Sequence, residues 1–195
     1  MGSTGVRSPP DPSSIRSPVG RCTADIYRIV QTSDNGVSSL NEGIEMTSER
    51  PTHPRLTTRI VYEDLPDLVE IETHVWASNW QGVARAYASP QSLHHEAKAL
   101  EQWCRKPEGE AVLEAGADTG IGWVRLRFYP IDMAGHLVCH VQLATAGSMG
   151  GRPEEVWRMS LEIRTEPGLV ERYARQLAGI VDSVGEEVLL QGVLR

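Results

Sequence analysis

From position 57 onward the chain alternates between apolar and polar side chains with a period of two, interrupted twice by a period close to 3.6. Arg59 to Glu63 has the composition of a short strand. Over Leu68 to Ala77 the residues Val69, Ile71, Thr73, Val75 and Ala77 share one side, while Glu70, Glu72, His74 and Trp76 share the other. Period two with one polar side predicts a half-buried strand. Ser78-Asn79 marks a turn, and Trp80 to Ala88 reads as the partner strand. Ser89-Pro90 then combines an N-cap oxygen with a proline suited to a first helical turn. Leu93, Ala97, Leu100 and Trp103/Cys104 follow at helical spacing, which predicts a helix ending near Arg105, before Pro107.

Four further strand candidates come next: Ala111 to Ala115, Ile121 to Tyr129, the stretch around Leu137 to Leu143, and Trp157 to Arg164. A second helix is capped by Thr165 or Glu166 with Pro167 in its first turn, and its expected buried stripe is Val170, Tyr173, Leu177, Ile180 and Val184. Residues 186–195 read as a last short strand or a frayed end. No internal repeat is visible in the sequence. The order ββ-α-ββββ-α predicts an α+β domain: a mostly antiparallel sheet of about six strands, with both helices packed on one face. The other face is then left polar, as antiparallel sheets permit.

Residues 1–56 have a different character. Gly, Ser, Pro and Thr dominate, as in MGSTGVRSPPDPSSIRSPVG. Such a segment buries too little apolar surface to offset its ordering entropy, so it is expected to be a disordered tail in front of a single domain over 57–195. Within it, Ala24 to Val30 is a stray apolar patch, and Met46 opens a second plausible start.

Charge sharpens this division. The tail carries equal numbers of basic and acidic side chains, so the net charge of −7 belongs wholly to the domain, which holds 13 basic and 20 acidic residues. Nucleic-acid binding calls for clustered Lys and Arg, which argues against it here. An acidic domain suits a basic protein partner, because opposite fields speed encounter and reject wrong partners. Cys22, Cys104 and Cys139 share no metal or redox spacing, and free thiols fit the cytoplasm. No apolar stretch approaches the ~18 residues needed to span a bilayer.

Candidate chemistry is sparse. His94 and His95 diverge on their helix, and His136 and His140 lie too far apart along a strand for one zinc ion. Cys139 and His140 point to opposite faces and form no local dyad, and both Cys104 and Cys139 fall in apolar patterns. Glu154-Glu155 and Glu186-Glu187 read as solvated pairs, and no phosphate-binding or nucleophile-elbow motif occurs. No catalytic residue, metal ligand or cofactor is therefore expected. The polar sheet face is the informative surface. It mixes aromatic, Arg and carboxylate side chains, the types that dominate interface hot spots. The candidate partner-binding residues are Trp123, Arg125, Arg127, Tyr129, Glu70, Glu72, Glu162 and Arg164, with Arg125 or Arg127 expected to pair with Glu162 or Glu70 across strands.

Several stretches together resemble the WapI-type family of bacterial immunity proteins over about residues 59–183. They are Asn79-Trp80-Gln81-Gly82, Ala86-Tyr87-Ala88-Ser89-Pro90, Leu100-Glu101-Gln102-Trp103, Val124-Arg125-Leu126-Arg127-Phe128, Ile131-Asp132-Met133-Ala134-Gly135-His136 and Leu161-Glu162-Ile163. The resemblance is one of pattern and element order and brings no catalytic residue with it. It implies a small acidic protein that binds and neutralises a cognate toxin, often a nuclease. The alternative is a small ligand-binding or enzymatic α+β domain using a pocket between sheet and helices.

The tail composition generates the first prediction. A chain starting at Met46 or at Thr57 is expected to keep the melting temperature of the full chain, measured by circular dichroism; a loss of several degrees would mean that the removed residues pack on the core.

Overall fold

The computed structural model describes residues 52–117, 122–146 and 153–194. The expected tail, apart from its last few residues, and the Gly147–Gly151 loop lie outside them. Over the described residues the domain is α+β, with eight strands and two α-helices. In chain order these are β1 (Arg55–Asp64), β2 (Leu68–Ala77), β3 (Trp80–Ala88), α1 (Pro90–Trp103), β4 (Ala111–Gly116), β5 (Gly122–Pro130), β6 (Leu137–Ala146), β7 (Val156–Thr165), α2 (Pro167–Gly179) and β8 (Glu187–Gln191).

The strands do not make one sheet of about six. They make two antiparallel four-stranded sheets, ordered β3-β2-β1-β8 (sheet A) and β4-β5-β6-β7 (sheet B). The reason lies in β3, whose core-facing positions are Gly82, Ala84, Ala86 and Ala88, small enough for another sheet to lie directly against it. It packs on β4, β5 and β6. Gly122 sits where a Cβ would collide with the Arg85 carbonyl, so the backbones of the two sheets nearly touch there. A strand with large residues on that side would need a helix over it; this one takes a sheet.

The two halves of the chain share one plan that no sequence similarity betrays. Each is a three-stranded meander followed by a helix and a further strand. The final strand of each half pairs with the first strand of the other, β4 with β5 and β8 with β1. Both helices open with proline at their start. Ser89 caps α1 by accepting from the Ser92 N–H, whereas Glu166 makes no side-chain cap on α2.

The helices pack side by side, α1 beside β4 and α2 beside β8. Leu93, Ala97 and Leu100 from α1 meet Val170, Tyr173, Ala174 and Leu177 from α2 in the core shared with both sheets. The phenol of Tyr173 is fully buried, and its hydroxyl lies 2.9 Å from Thr58 Oγ1, which lies 3.2 Å from Thr73 Oγ1. This line of hydroxyls joins α2 to β1 and β2 and satisfies polar groups that water cannot reach. Val184, expected on the buried stripe, is half exposed, because α2 stops at Gly179 and the stripe ends with Val181. Among the described residues no helix is long and apolar enough to cross a membrane.

Strand β1 begins two residues before position 57, and Leu56 is fully buried in it. A start at Thr57 therefore removes core, and only the Met46 start is expected to leave the melting temperature unchanged. The close approach of the sheets gives a sharper test. Gly122→Ala is expected to cost about 1–3 kcal/mol or more by forcing β3 and β5 apart. Gly168→Ala, in the first turn of α2 with open space around it, is expected to be neutral or stabilising by up to about 1 kcal/mol. Urea midpoints of the two variants check both signs.

Candidate functional site

Because the core-facing sides of the sheets meet, their polar sides turn away from one another. The eight candidate residues are thereby divided. Glu70 and Glu72 lie on the outer face of sheet A, while Trp123, Arg125, Arg127, Tyr129, Glu162 and Arg164 lie on that of sheet B. One continuous patch containing all eight is not formed.

On sheet B the β5 side chains run in a row from Trp123 to Tyr129. Trp123 Nε1 donates to Glu114 at 2.7 Å, and Tyr129 donates to Glu162 at 2.6 Å. That hydrogen bond, more than burial, raises the Tyr129 phenol above its ordinary value. Arg127 lies over the Tyr129 ring, 5.3 Å from its centre. The expected pairing of Arg125 or Arg127 with Glu162 or Glu70 does not occur. Arg125 faces Glu114 at 3.8 Å and Arg127 faces Glu110 at 3.6 Å. The register explains this: Glu114 on the neighbouring β4 stands directly opposite Arg125, Glu162 two strands away is engaged by Tyr129, and Glu70 is in the other sheet. Those separations exceed hydrogen-bond range, and the Nε atoms of Arg125 and Arg127 are buried without an acceptor. His140, which neighbours Arg127 on β6, places Nε2 2.8 Å from Ser160 Oγ and leaves Nδ1 equally without a partner.

Sheet A carries a more tightly built cluster. Register sets Arg59 and Arg85 on either side of Glu72. Glu72 accepts from Arg59 Nε at 2.8 Å and Arg85 Nε at 2.7 Å, and its Oε1 lies 2.8 Å from His74 Nε2. The Glu72 side chain is completely buried although it stands on the outer face, because its partners close over it. Burial pushes its carboxyl up, but the hydrogen bonds from His74, Arg85 and Arg59 prevail and hold it well below the usual carboxylate range. His74 stacks on Trp76 with ring centres 5.4 Å apart, and Arg55 covers the Trp76 ring at 4.7 Å. Glu72 is thus no contact residue; it fixes the arginines and histidine that are accessible. For Glu70, burial is the leading cause of a raised carboxyl.

Sequence reasoning passed over Arg55, Arg59 and Arg85. Arg85 could have been found by counting, since the Ser78-Asn79 turn sets Ala77 opposite Trp80 and hence Glu72 opposite Arg85. It also missed an acidic end. The β1–β2 turn brings Glu63, Asp64 and Asp67 there, and hydrogen bonds from Gly185 to the Ile60 carbonyl and from Ile60 to the Glu186 carbonyl bring Asp182, Glu186 and Glu187. Tyr62, Leu65 and Val184 are exposed among these carboxylates.

The remaining candidates are quickly placed. Cys104 and Cys139 are buried, and burial pushes the Cys104 thiol up to about 12, with Glu171 and Glu101 adding to it. Burial raises Cys139 further. His136 sits in the turn before β6, where its Nδ1 lies 2.6 Å from Asp132, and so shares no strand face with His140. Among the described residues no three His, Cys, Asp or Glu side chains are grouped so as to hold a metal ion. Compared with family models, with curated proteins and with solved structures, the chain matches none.

The Glu72 cluster predicts an acid limb in stability. A carboxyl whose folded-state pKa is depressed stabilises the fold above its unfolded value near 4.5 and loses that contribution as pH falls. Glu72→Gln is expected to cost about 1–3 kcal/mol at neutral pH, since both arginines are partly solvated. It is also expected to flatten the decline in urea midpoint between about pH 5 and pH 3. An unchanged slope would show that Glu72 is not the group responsible.

Proposed function

We propose that the domain is a protein-binding module of the immunity type, which neutralises a basic toxin enzyme, such as a nuclease, by covering it with the outer face of sheet B. The observation that carries this reading is the row Trp123, Arg125, Arg127 and Tyr129. Its rings and guanidinium groups are held in place by Glu114, Glu162 and cation–π contact, yet among the described residues the Arg125 and Arg127 Nε atoms make only long ion pairs and His140 Nδ1 no hydrogen bond. The Arg125 and Arg127 side chains stay about a third exposed, so a partner presenting carbonyl or carboxylate oxygens can accept from their guanidinium groups. Preformed aromatic and Arg side chains also lose little entropy on docking.

The excess negative charge has a separate part in this reading. The acidic end formed by the β1–β2 turn and the segment before β8 belongs to sheet A and not to the β5 row, and it acts at long range, orienting a basic partner before contact. The resemblance to the WapI-type immunity proteins agrees with both parts. Acidity and surface chemistry support the reading together; the partner itself is inferred.

The test is co-expression with the product of a neighbouring toxin-like gene, followed by pull-down and titration at two salt concentrations. Trp123→Ala and Arg127→Ala are expected to leave the fold intact and to weaken binding by about 2 kcal/mol or more. Asp64→Asn with Asp67→Asn is expected to lower the association rate and its salt dependence while changing dissociation little. Binding that is indifferent to Trp123 and Arg127 would place the interface elsewhere.

A further inference from the structure

The two polar faces point away from each other, yet one residue touches both sheets. Arg85 lies on β3, an outer strand of sheet A. Its guanidinium donates to Glu72 Oε2 at 2.7 Å and helps to close the sheet A cluster. Its backbone carbonyl meets Gly122, the first residue of β5, at the spot where a Cβ would collide. The next residue, Ala86, touches the position that a Cβ would take on Gly116, the last residue of β4. A Cβ on Gly116 would also strike the Gly122 carbonyl. Strands β3, β4 and β5 therefore meet here backbone to backbone.

Contacts between sheets usually run through side chains, which turn about their χ angles and take up small displacements. At this seam a carbonyl stands against a glycine with no side chain between them. Close-packed atoms of this kind pass a displacement on rather than absorb it. Beyond the seam stands the start of the β5 row. Trp123 follows Gly122 directly and pairs with Gly116 on β4. Its indole Nε1 donates to Glu114 at 2.7 Å, and the same Glu114 carboxylate faces Arg125 at 3.8 Å. The Glu114 backbone N–H is fixed in turn by Glu96 of α1 at 2.8 Å. The bond from Trp123 to Glu114 thus joins the two sheet B strands that the seam touches.

We infer that Glu72 and Arg85 are positioning residues for the β5 row on the opposite sheet. By holding Arg85 on the outer face of sheet A, the Glu72 carboxylate sets where the Arg85 carbonyl seats Gly122, and hence where Trp123 and Glu114 stand on sheet B. Arg59 makes the same kind of bond to Glu72, at 2.8 Å, but from β1, two strands away from the seam. It belongs to the cluster without belonging to the coupling. Every link runs through contacts inside the fold, and the Glu72 side chain at its origin is completely buried. The coupling does not depend on the toxin-binding reading. Under that reading, the fit of the row to a partner is set from the face that the partner does not touch.

The test uses the full chain without a partner and compares two variants that each take one arginine from Glu72. Arg85→Gln is expected to move the Trp123 indole N–H resonance in a proton–nitrogen correlation spectrum, assigned by its loss in Trp123→Phe, and to leave that of Trp103 in place. Arg59→Gln is expected to leave Trp123 in place, although it removes the same charge from the same carboxylate. Glu72→Gln is expected to follow Arg85→Gln. A double-mutant cycle reads the coupling as an equilibrium. Combining Arg85→Gln with Trp123→Phe is expected to change the unfolding constant at least about threefold differently from the product of the separate effects, whereas independent sites multiply to within about twofold. Combining Arg59→Gln with Trp123→Phe is expected to be multiplicative. A Trp123 resonance indifferent to Arg85→Gln in folded protein overturns the proposal. So do equal shifts from the two arginine variants, or a multiplicative pair of Arg85→Gln and Trp123→Phe.

Discussion

The arrangement depends on one steric condition: β3 must come close enough to sheet B for the two backbones to meet. Gly122 beside the Arg85 carbonyl, and the run Gly82, Ala84, Ala86 and Ala88, satisfy it. Dispersion falls off steeply with distance, so a contact of this kind is either close or worth little. Once β3 is seated, the opposite sides of the sheets have nowhere to go but outward. The helix pair then packs against what remains of the core faces, with Tyr173 tied to Thr58. The division of the polar strand residues between two separate outer faces follows from that one contact.

The two outer faces solve different electrostatic problems. On sheet A a single carboxylate is surrounded by two guanidinium groups and an imidazole, so its charge is neutralised locally and the cluster stiffens the sheet. On sheet B the carboxylates Glu110 and Glu114 stand at arm's length from Arg127 and Arg125, close enough to lower their field yet too far to occupy their Nε atoms. The Glu72 cluster is complete in itself, although Arg55 Nε beside it lacks a hydrogen bond; on sheet B three such atoms fall on adjoining positions of β5 and β6. This difference is why the second carries the functional reading although the first has the shorter hydrogen bonds.

Strand and helix positions were legible because local rules decided them. Alternation marked β2, β5, β6 and β7, and Ser89-Pro90 and Pro167 marked the helix starts. The division into two sheets was not legible, because it depends on what β3 packs against across more than thirty intervening residues, and small residues by themselves say only that something is near. The candidate site fared similarly. Alternation correctly put Trp123, Arg125, Arg127 and Tyr129 on one side of β5, yet joining them to Glu70 and Glu72 required the single-sheet assumption. Arg59 was hidden for a further reason: an irregularity between Ile60 and Tyr62 shifts the β1–β2 register, so counting back from the turn misplaces it by one residue relative to Glu72.

The exchange of final strands between the halves has a consequence for how the protein is made. Sheet B needs only β4 through β7, all contiguous in the chain apart from their loops, and is available once that stretch has been synthesised. Sheet A cannot be completed until Gln191 has left the ribosome, because β8 must return to the first strand. Until then the β1 edge beside Arg55 to Arg59 is open, with Leu56 awaiting Leu190. Closing so long a loop is entropically costly and slow. Sheet A is therefore the last part of the fold that synthesis allows to be completed.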